Sequence, residues 1–479
     1  MKFVLLWTDL ALWLLAAAGL AYAWRVAGQA HLRANWRRVL RDPVAACAGL
    51  VMGLLFLVAL ADSVHLRRAL PAEGAGPVAY DTRTLSLLDL LLARPLAMRE
   101  VSYSLPLATH GFNRETVVDA QGRAVRDYPR LQWGGAHLAD PARDWAGDVA
   151  LRAALCAAAG LLVAAALLAL TAAPLAREHG GWRQALADLA ADRTDYPLRA
   201  LLLTAGLLLL LAGPAIALMP HYHVFGTDRT GNDVLVQALK SLRTAFVIGA
   251  LSTLATLPLA LLLGVLAGYF KGWVDELIQY LYTVLSSVPN VLLIAACVLM
   301  VQVFLDKNPD LFETAAERAD LKMLMLCLIL GLTGWAGLCR LVRAETLKLR
   351  ELDFVQAATA FGVGDLTIMA RHIVPNVMHL VLITLVLSFS ELILYEAVLT
   401  YVGVGVDPAM NSFGSMINLA RAEMSRDPVV WWSFVTAFAF MVGLVLAANL
   451  FADGVRDAFD PKARSARPRL LRRKAAEHA

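Results

Sequence analysis

Charge is scarce in this chain. Only 17% of its 479 residues are Asp, Glu, Lys or Arg, while 59% are hydrophobic. A soluble fold of this size has too little interior to hide so much apolar surface, which excludes a water-soluble enzyme or binding module. Cysteine is scarcer still. Cys47, Cys156, Cys297, Cys327 and Cys339 are the five, all in or beside apolar runs and none at metal-ligand spacing. They predict core packing, with neither a disulfide framework nor a metal site. His221-Tyr222-His223 lacks a carboxylate or cysteine at close ligand spacing and reads as an interfacial anchor. A phosphate-binding lysine is also missing. Gly226 to Asp233 has the G-x-x-x-x-G spacing of a P-loop, but Asn232 and Asp233 stand where Lys and Ser/Thr are needed. The chain therefore has no ATP site of its own, and no cofactor is expected in it. No Ser/His/Asp arrangement lies near a turn that could present a nucleophile. No catalytic residue, metal ligand or nucleic-acid partner is expected, and the chain reads as a non-enzyme.

What the chain has instead is long apolar runs. Nine of them, at about 4–23, 43–62, 149–173, 199–219, 244–268, 277–305, 322–340, 376–398 and 431–452, approach the 20 residues that a bilayer crossing needs. The fold class is an all-α polytopic membrane protein with about nine transmembrane helices. Orientation follows from the basic residues. Arg25, Arg33, Arg37, Arg38 and Arg41 fill 24–42. Arg343, Lys348 and Arg350 lie in 340–371, and the tail holds Lys462, Arg464, Arg467, Arg469, Arg472, Arg473 and Lys474. The segment 306–321 is instead acid-rich, with Asp306, Asp310, Glu313, Glu317 and Asp320. One threading satisfies all four: N-terminus outside, C-terminus cytoplasmic. Ala21-Tyr22-Ala23 resembles a signal cleavage site, but cleavage would strand five arginines outside and Asp9 is foreign to a signal core, so an uncleaved span is expected. Residues 63–148, with Pro71, Gly74, Gly76 and Pro77 and later Tyr103, Phe112, Trp133 and Trp145, form an extracytoplasmic loop or small domain.

Between two apolar runs lies a polar island, Glu351 to Asn376. It predicts two short helices. The first passes through Phe354, Ala357, Ala358 and Phe361 and stops at Gly362 or Gly364; Asp365 N-caps the second, which ends near Pro375. Such a knob at the mouth of a bundle is a shape for a partner. At the other face, Gly226 and Gly231 permit tight turns that Asp228 and Asp233 cap. Glu391 and Glu396 lie near the outer end of the eighth span; hydrogen bonding to neighbouring spans is the expectation for Glu391, while Glu396 suits pathway or packing equally.

QAATAFG followed by HIVPN resembles the "EAA…G…LP" cytoplasmic loop of binding-protein-dependent ABC importer permeases, more narrowly the second permease of dipeptide and oligopeptide importers. Gln356 replaces the usual Glu, and Val374 the usual Leu. FGTDRTGNDVL, GYFKGWVD, TGWAGLCRLVR, EAVLTYVG and DGVRDAFDP are similar to further blocks of that family, in order, across about 225–462. The resemblance implies a permease core at 225–462 with a coupling loop at 344–375. The rest divides into an added span and basic loop at 1–42, a family-like first span at 43–62, an inserted hairpin at 149–219 and a basic tail at 463–479. It implies that Asp353, Phe354, Gln356, Ala357, Ala358, Phe361, Gly362, Asp365, His372 and Pro375 meet an ATPase. It likewise implies that Gly226, Thr227, Asp228, Gly231 and Asp233 shape an extracytoplasmic mouth, and that Glu396 serves pathway or packing. The partners it implies are a second permease subunit, two ATP-binding subunits, an extracytoplasmic solute-binding protein and the lipid bilayer of a bacterial inner membrane. Peptides are the leading solutes, although the group also moves nickel complexes and opines. The alternatives are a secondary transporter, which would carry midplane coupling charges, or a membrane scaffold not coupled to ATP.

Overall fold

An apolar segment in lipid must close its backbone hydrogen bonds internally, so it becomes a helix. The computed structural model describes residues 2–69, 80–118, 122–178, 181–309, 312 and 314–459. Pro71, Gly74, Gly76 and Pro77, Asp310 and Glu313, the Asp460-Pro461 end of the last block and the basic tail lie outside the described residues. The chain opens with β1 (Lys2–Val4), α1 (Trp7–Gly28), α2 (Ala30–Arg41) and α3 (Pro43–Asp62). Next come β2 (His65–Ala69), β3 (Tyr80–Ser86), α4 (Leu87–Leu91), α5 (Ala93–Ala97), β4 (Glu115–Val118) and β5 (Ala124–Asp127). Then follow α6 (Pro141–Glu178), α7 (Trp182–Ala190), α8 (Leu198–Leu218), α9 (Val234–Phe270), α10 (Gly272–Ser287), α11 (Asn290–Lys307) and α12 (Ala315–Arg350). The last part is α13 (Asp353–Ala360), α14 (Asp365–Ile368), a π-helical turn at Met369–Ile373, α15 (Val374–Tyr401), α16 (Phe413–Glu423) and α17 (Trp432–Phe459).

Among the described residues nine helices are long and apolar enough to cross a membrane: α1, α3, α6, α8, α9, α11, α12, α15 and α17. The run at 277–305 is not one span. Pro289 has no N–H to continue a helix and forces Val288 into an extended conformation (φ −87°, ψ 133°), so the run splits into α10 and α11. Residues 63–148 include folded structure. β1, β2 and β3 form an antiparallel sheet with Lys2 opposite Arg67 and His65 opposite Ser86, and β4 pairs with β5. These strands mark one end of the bundle, the sheet end; α13 and α14 mark the other, the knob end.

The core of the bundle is the pair α9 and α12. Leu242, Ala245 and Phe246 share a buried cluster with Met323, Leu326, Cys327 and Leu330. The two backbones approach closely where α9 carries glycine. A Cβ on Gly264 would sit 2.8 Å from Val342, and one on Gly268 2.8 Å from the Arg343 carbonyl oxygen, so small residues set the helix spacing.

The first span is fastened into this core. Asp9 on α1 is fully buried and accepts hydrogen bonds from Arg243 of α9 (Nε 2.9 Å, Nη2 2.6 Å), while His65 Nδ1 lies 2.7 Å from its other oxygen. The Thr8 amide donates to Asp320 of α12 at 3.2 Å, and Arg243 is 3.7 Å from the same carboxylate. Asp320, read from sequence as part of an acidic loop, is fully buried inside α12. A buried charge must be paired, and Arg243 meets that demand for two helices at once. Ala21-Tyr22-Ala23 lies within α1, which continues to Gly28. All five cysteines are free thiols, Cys327 and Cys339 buried.

Candidate functional sites at the two ends of the bundle

At the knob end α13 stops in a Schellman motif. Gly362 N–H donates to Thr359 O (3.0 Å) and Val363 N–H to Ala358 O (3.1 Å), with Gly362 at φ +76°. Gly362, rather than Gly364, is thus the stop. Val355 is buried against α9 and α12, whereas Phe354 and Phe361 are exposed, Phe361 to 87%. Gln356 Nε2 donates to the Glu351 carbonyl at 3.1 Å, and the Ala357 carbonyl accepts the Phe361 N–H at 3.0 Å. Asp353 is the first residue of α13, and the Phe354 ring lies 6.2 Å from that of His372.

Two expectations fail here. Asp365 does not cap the second helix. Gly364 holds that position, and the Asp365 carboxylate instead accepts from Tyr269 Oη at 2.7 Å, pinning the knob to the end of α9. Nor does the second helix end near Pro375. It passes through the π-helical turn straight into α15, where Pro375 is the second residue. Pro375, with no N–H to donate, stands directly after the π turn, in the first turn of α15.

At the sheet end the loop 226–233 is compact. Gly226 (φ +73°) and Gly231 (φ +77°) adopt the left-handed conformation that favours glycine, and a side chain on Gly231 would collide with the Glu100 carbonyl. Asp228 Oδ1 accepts from the N–H groups of Thr230 (2.8 Å) and Asn232 (2.9 Å). Asp233 N-caps α9 by accepting from Val236 N–H at 3.1 Å. Thr227 Oγ1 donates to Ser102 O at 2.8 Å and accepts from Ser104 N–H at 2.7 Å, while Trp432 Nε1 donates to Thr227 O at 2.9 Å.

His221-Tyr222-His223 is not a surface anchor: Tyr222 and His223 are fully buried. His223 Nδ1 lies 2.9 Å from Asp233, and its Nε2 faces Glu100 at 3.6 Å, beyond hydrogen-bond length, so that second link is ionic. Glu100 in turn accepts the N–H groups of Gln132, Trp133 and Gly134 at 2.8–3.0 Å. Burial alone would lower the His223 pKa, but the Asp233 and Glu100 carboxylates outweigh it and push it up to about 9. Burial opposes the Glu100 charge, yet His223 and the three N–H groups hold its carboxyl below the usual value. Glu100, Ser104 and Trp432 were not found by sequence reasoning; each lies more than a hundred residues from the loop it fixes and carries no local signal.

Two cavities open near the sheet end. One of about 420 Å³ is lined by Asp228, Thr230, Asn232, Gln302 and Lys322. The other, about 640 Å³, is lined by Asp62, His65, Asp89, Lys240 and Arg243, bridging the N-terminal segment and the core. Glu396 lines neither. It is buried, accepts from Thr400 Oγ1 at 2.8 Å and stands against Gly414. Glu391 lies in the half of α15 nearer the sheet end, ten residues before Tyr401, and its side chain is exposed.

Residues 260–465 match the family model described as binding-protein-dependent transport system inner membrane component. The oligopeptide transport system permease protein OppC of Mycobacterium tuberculosis is 32% identical over 245 residues, 51% of this chain and 78% of that protein. OppC of Haemophilus influenzae is 31% identical over 51% of this chain and 72% of its own length. The glutathione transport system permease protein GsiD of Pectobacterium atrosepticum is 31% identical over 51% and 74%. The chain therefore belongs to the binding-protein-dependent transport system inner membrane components, as a multi-pass permease subunit of an ATP-driven importer.

Proposed function

We propose that this permease carries peptides or similar small solutes, that it pairs with a second permease, and that two ATP-binding subunits drive it through the knob at 351–375. The solute class is supported by relatives named for oligopeptide and glutathione transport. The observation that carries the coupling role is bare apolar surface on the knob. Phe361 and Leu366 are 87% and 76% exposed, Leu352 and Phe354 of the same segment are exposed too, and a group of exposed hydrophobics marks an interaction surface. An amphipathic helix of this kind seats in a partner's groove, and closure of the ATPase pair would shift the bundle between inward-open and outward-open states.

The basic residues of α2 and of the end of α12 share the knob end, which supports a cytoplasmic knob, a cytoplasmic C-terminus and an outside N-terminus. The loop 226–233, with Arg229 exposed, then faces the solute-binding protein. The test is Phe361→Ser combined with Leu366→Ser. Both side chains point into solvent, so membrane insertion is retained while ATP-dependent uptake and co-purification of the ATPase fall at least tenfold. Full uptake with undiminished ATPase recovery rules the coupling role out.

A further inference from the structure

Helix α15 carries an acid on its outward face, several turns from either end. Glu391 lies ten residues before Tyr401, the end of the 28-residue helix that begins at Val374, so about 15 Å of apolar helix separates it from the sheet end. On a helix of 3.6 residues per turn, Leu387, Glu391, Leu394 and Val398 fall on one side, and all four are exposed. Phe389 and Ile393 fall on the opposite side, Phe389 against Gly249 of α9 and Ile393 in the core. Glu391 therefore points directly away from the chain's own bundle. Among the described residues no cation or hydrogen-bond donor answers it.

A carboxylate within the hydrocarbon is strongly disfavoured against acyl chains and marks a protein-lined or water-filled interior. A packed protein neighbour would have to bring hydrogen-bond donors to the same depth, as Thr400 does for Glu396 within this chain, whereas water supplies them directly. We propose that the Leu387–Val398 stripe lines the solute path and that Glu391 selects there for solutes bearing a protonated amine or guanidinium group. The apolar residues above and below Glu391 suit a solute whose cationic group sits beside hydrocarbon. This rests on the permease reading above, and the experiment separates the two.

The experiment uses the importer assembled with its partner subunits in membrane vesicles, with Leu394→Cys in a chain whose native cysteines are replaced by alanine. Two membrane-impermeant thiosulfonates are compared, one trimethylammonium and one sulfonate. Residues three apart on a helix have Cβ atoms about 6 Å apart. At that distance in water one charge changes local cation and anion concentrations about threefold in opposite senses. Both reagents should label the thiol introduced at position 394, the cation about tenfold faster relative to its rate with free thiol. Glu391→Gln should bring the ratio near one, and Glu391→Asp should restore it. Absence of labelling by either reagent at Leu394→Cys, Leu387→Cys and Val398→Cys means lipid or a packed subunit covers the stripe and overturns the proposal. A ratio unchanged by Glu391→Gln overturns the selectivity. If the cysteine-free chain fails to assemble, the same rates are read by mass spectrometry of the α15 peptide in the native background. Labelling does not depend on ATP, so loss of ATP-driven uptake alone would count against the coupling role, not against the stripe.

Discussion

His223 holds its charge because two carboxylates enclose it, and this has a signed consequence. Its pKa stands at about 9 in the fold against an ordinary 6.5. A raised pKa means the folded state binds the proton more tightly, so the stabilisation is complete below about 6.5 and disappears as pH rises through 9. Glu100 is shifted down, so its contribution is present above its ordinary value and disappears as acid protonates it. The docking of residues 100–134 onto the 226–233 loop should therefore be firmest from about pH 5 to 7. Thermal melts of the purified protein between pH 6 and 10 should show a decline worth a few kcal/mol, and His223→Gln should flatten it. An equal decline in that variant would show that the proton sits elsewhere. The neighbouring Gly231 has no such reserve: its positive φ and its contact with Glu100 leave no room for a side chain.

Among the elements, α1 is held by charge more than by shape. Much of its surface is exposed, but its first turn buries Thr8 and Asp9 against Arg243, Asp320 and His65. Removing one partner from a buried pair leaves the other uncompensated, at a cost of about 3–5 kcal/mol. Asp9→Leu should thus destabilise the protein strongly and free α1, which limited proteolysis after Gly28 would report. The double substitution Asp9→Leu with Arg243→Leu should recover part of the loss, and failure to recover any would mean that Asp320 alone sets the state of Arg243.

None of this network was legible in sequence, because Asp9 and Arg243 are 234 residues apart and Thr8 and Asp320 312 apart. Local demands were legible. The spans follow from apolar run length, and the turns at Gly226, Gly231 and Gly362 from the need for positive φ. The break at Pro289 is equally local, but the apolar residues on both sides of it mask it. Asp365 shows the opposite failure, where a good capping residue was drawn off by a tertiary partner, Tyr269.

For the whole molecule, the helices long enough to cross a membrane among the described residues put the sheet end and the knob end on opposite sides. Ala34→Cys on α2 and Arg229→Cys in the mouth loop, both at exposed positions, test the direction. An impermeant maleimide applied to intact cells, native cysteines removed, should label position 229 and leave position 34 untouched until the membrane is opened. The reverse pattern would invert the protein.

One element reaches both ends. The knob runs through α14 and the π turn into α15 with no loop between them. At 1.5 Å per residue the 28 residues of α15 make a rod of about 42 Å. Near its middle Phe389 rests on Gly249, where a Cβ would lie 2.7 Å from the ring, so the rod meets α9 at a bare backbone. The knob is tied to the other end of α9 as well, through Asp365 and Tyr269. The far end of the rod is where Thr400 touches Glu396 and stands against Gly414. Fastened to α9 at two points, α15 has no slack in which to absorb a shift of the knob: whatever moves the knob moves the Thr400 end and α9 with it, as one girder.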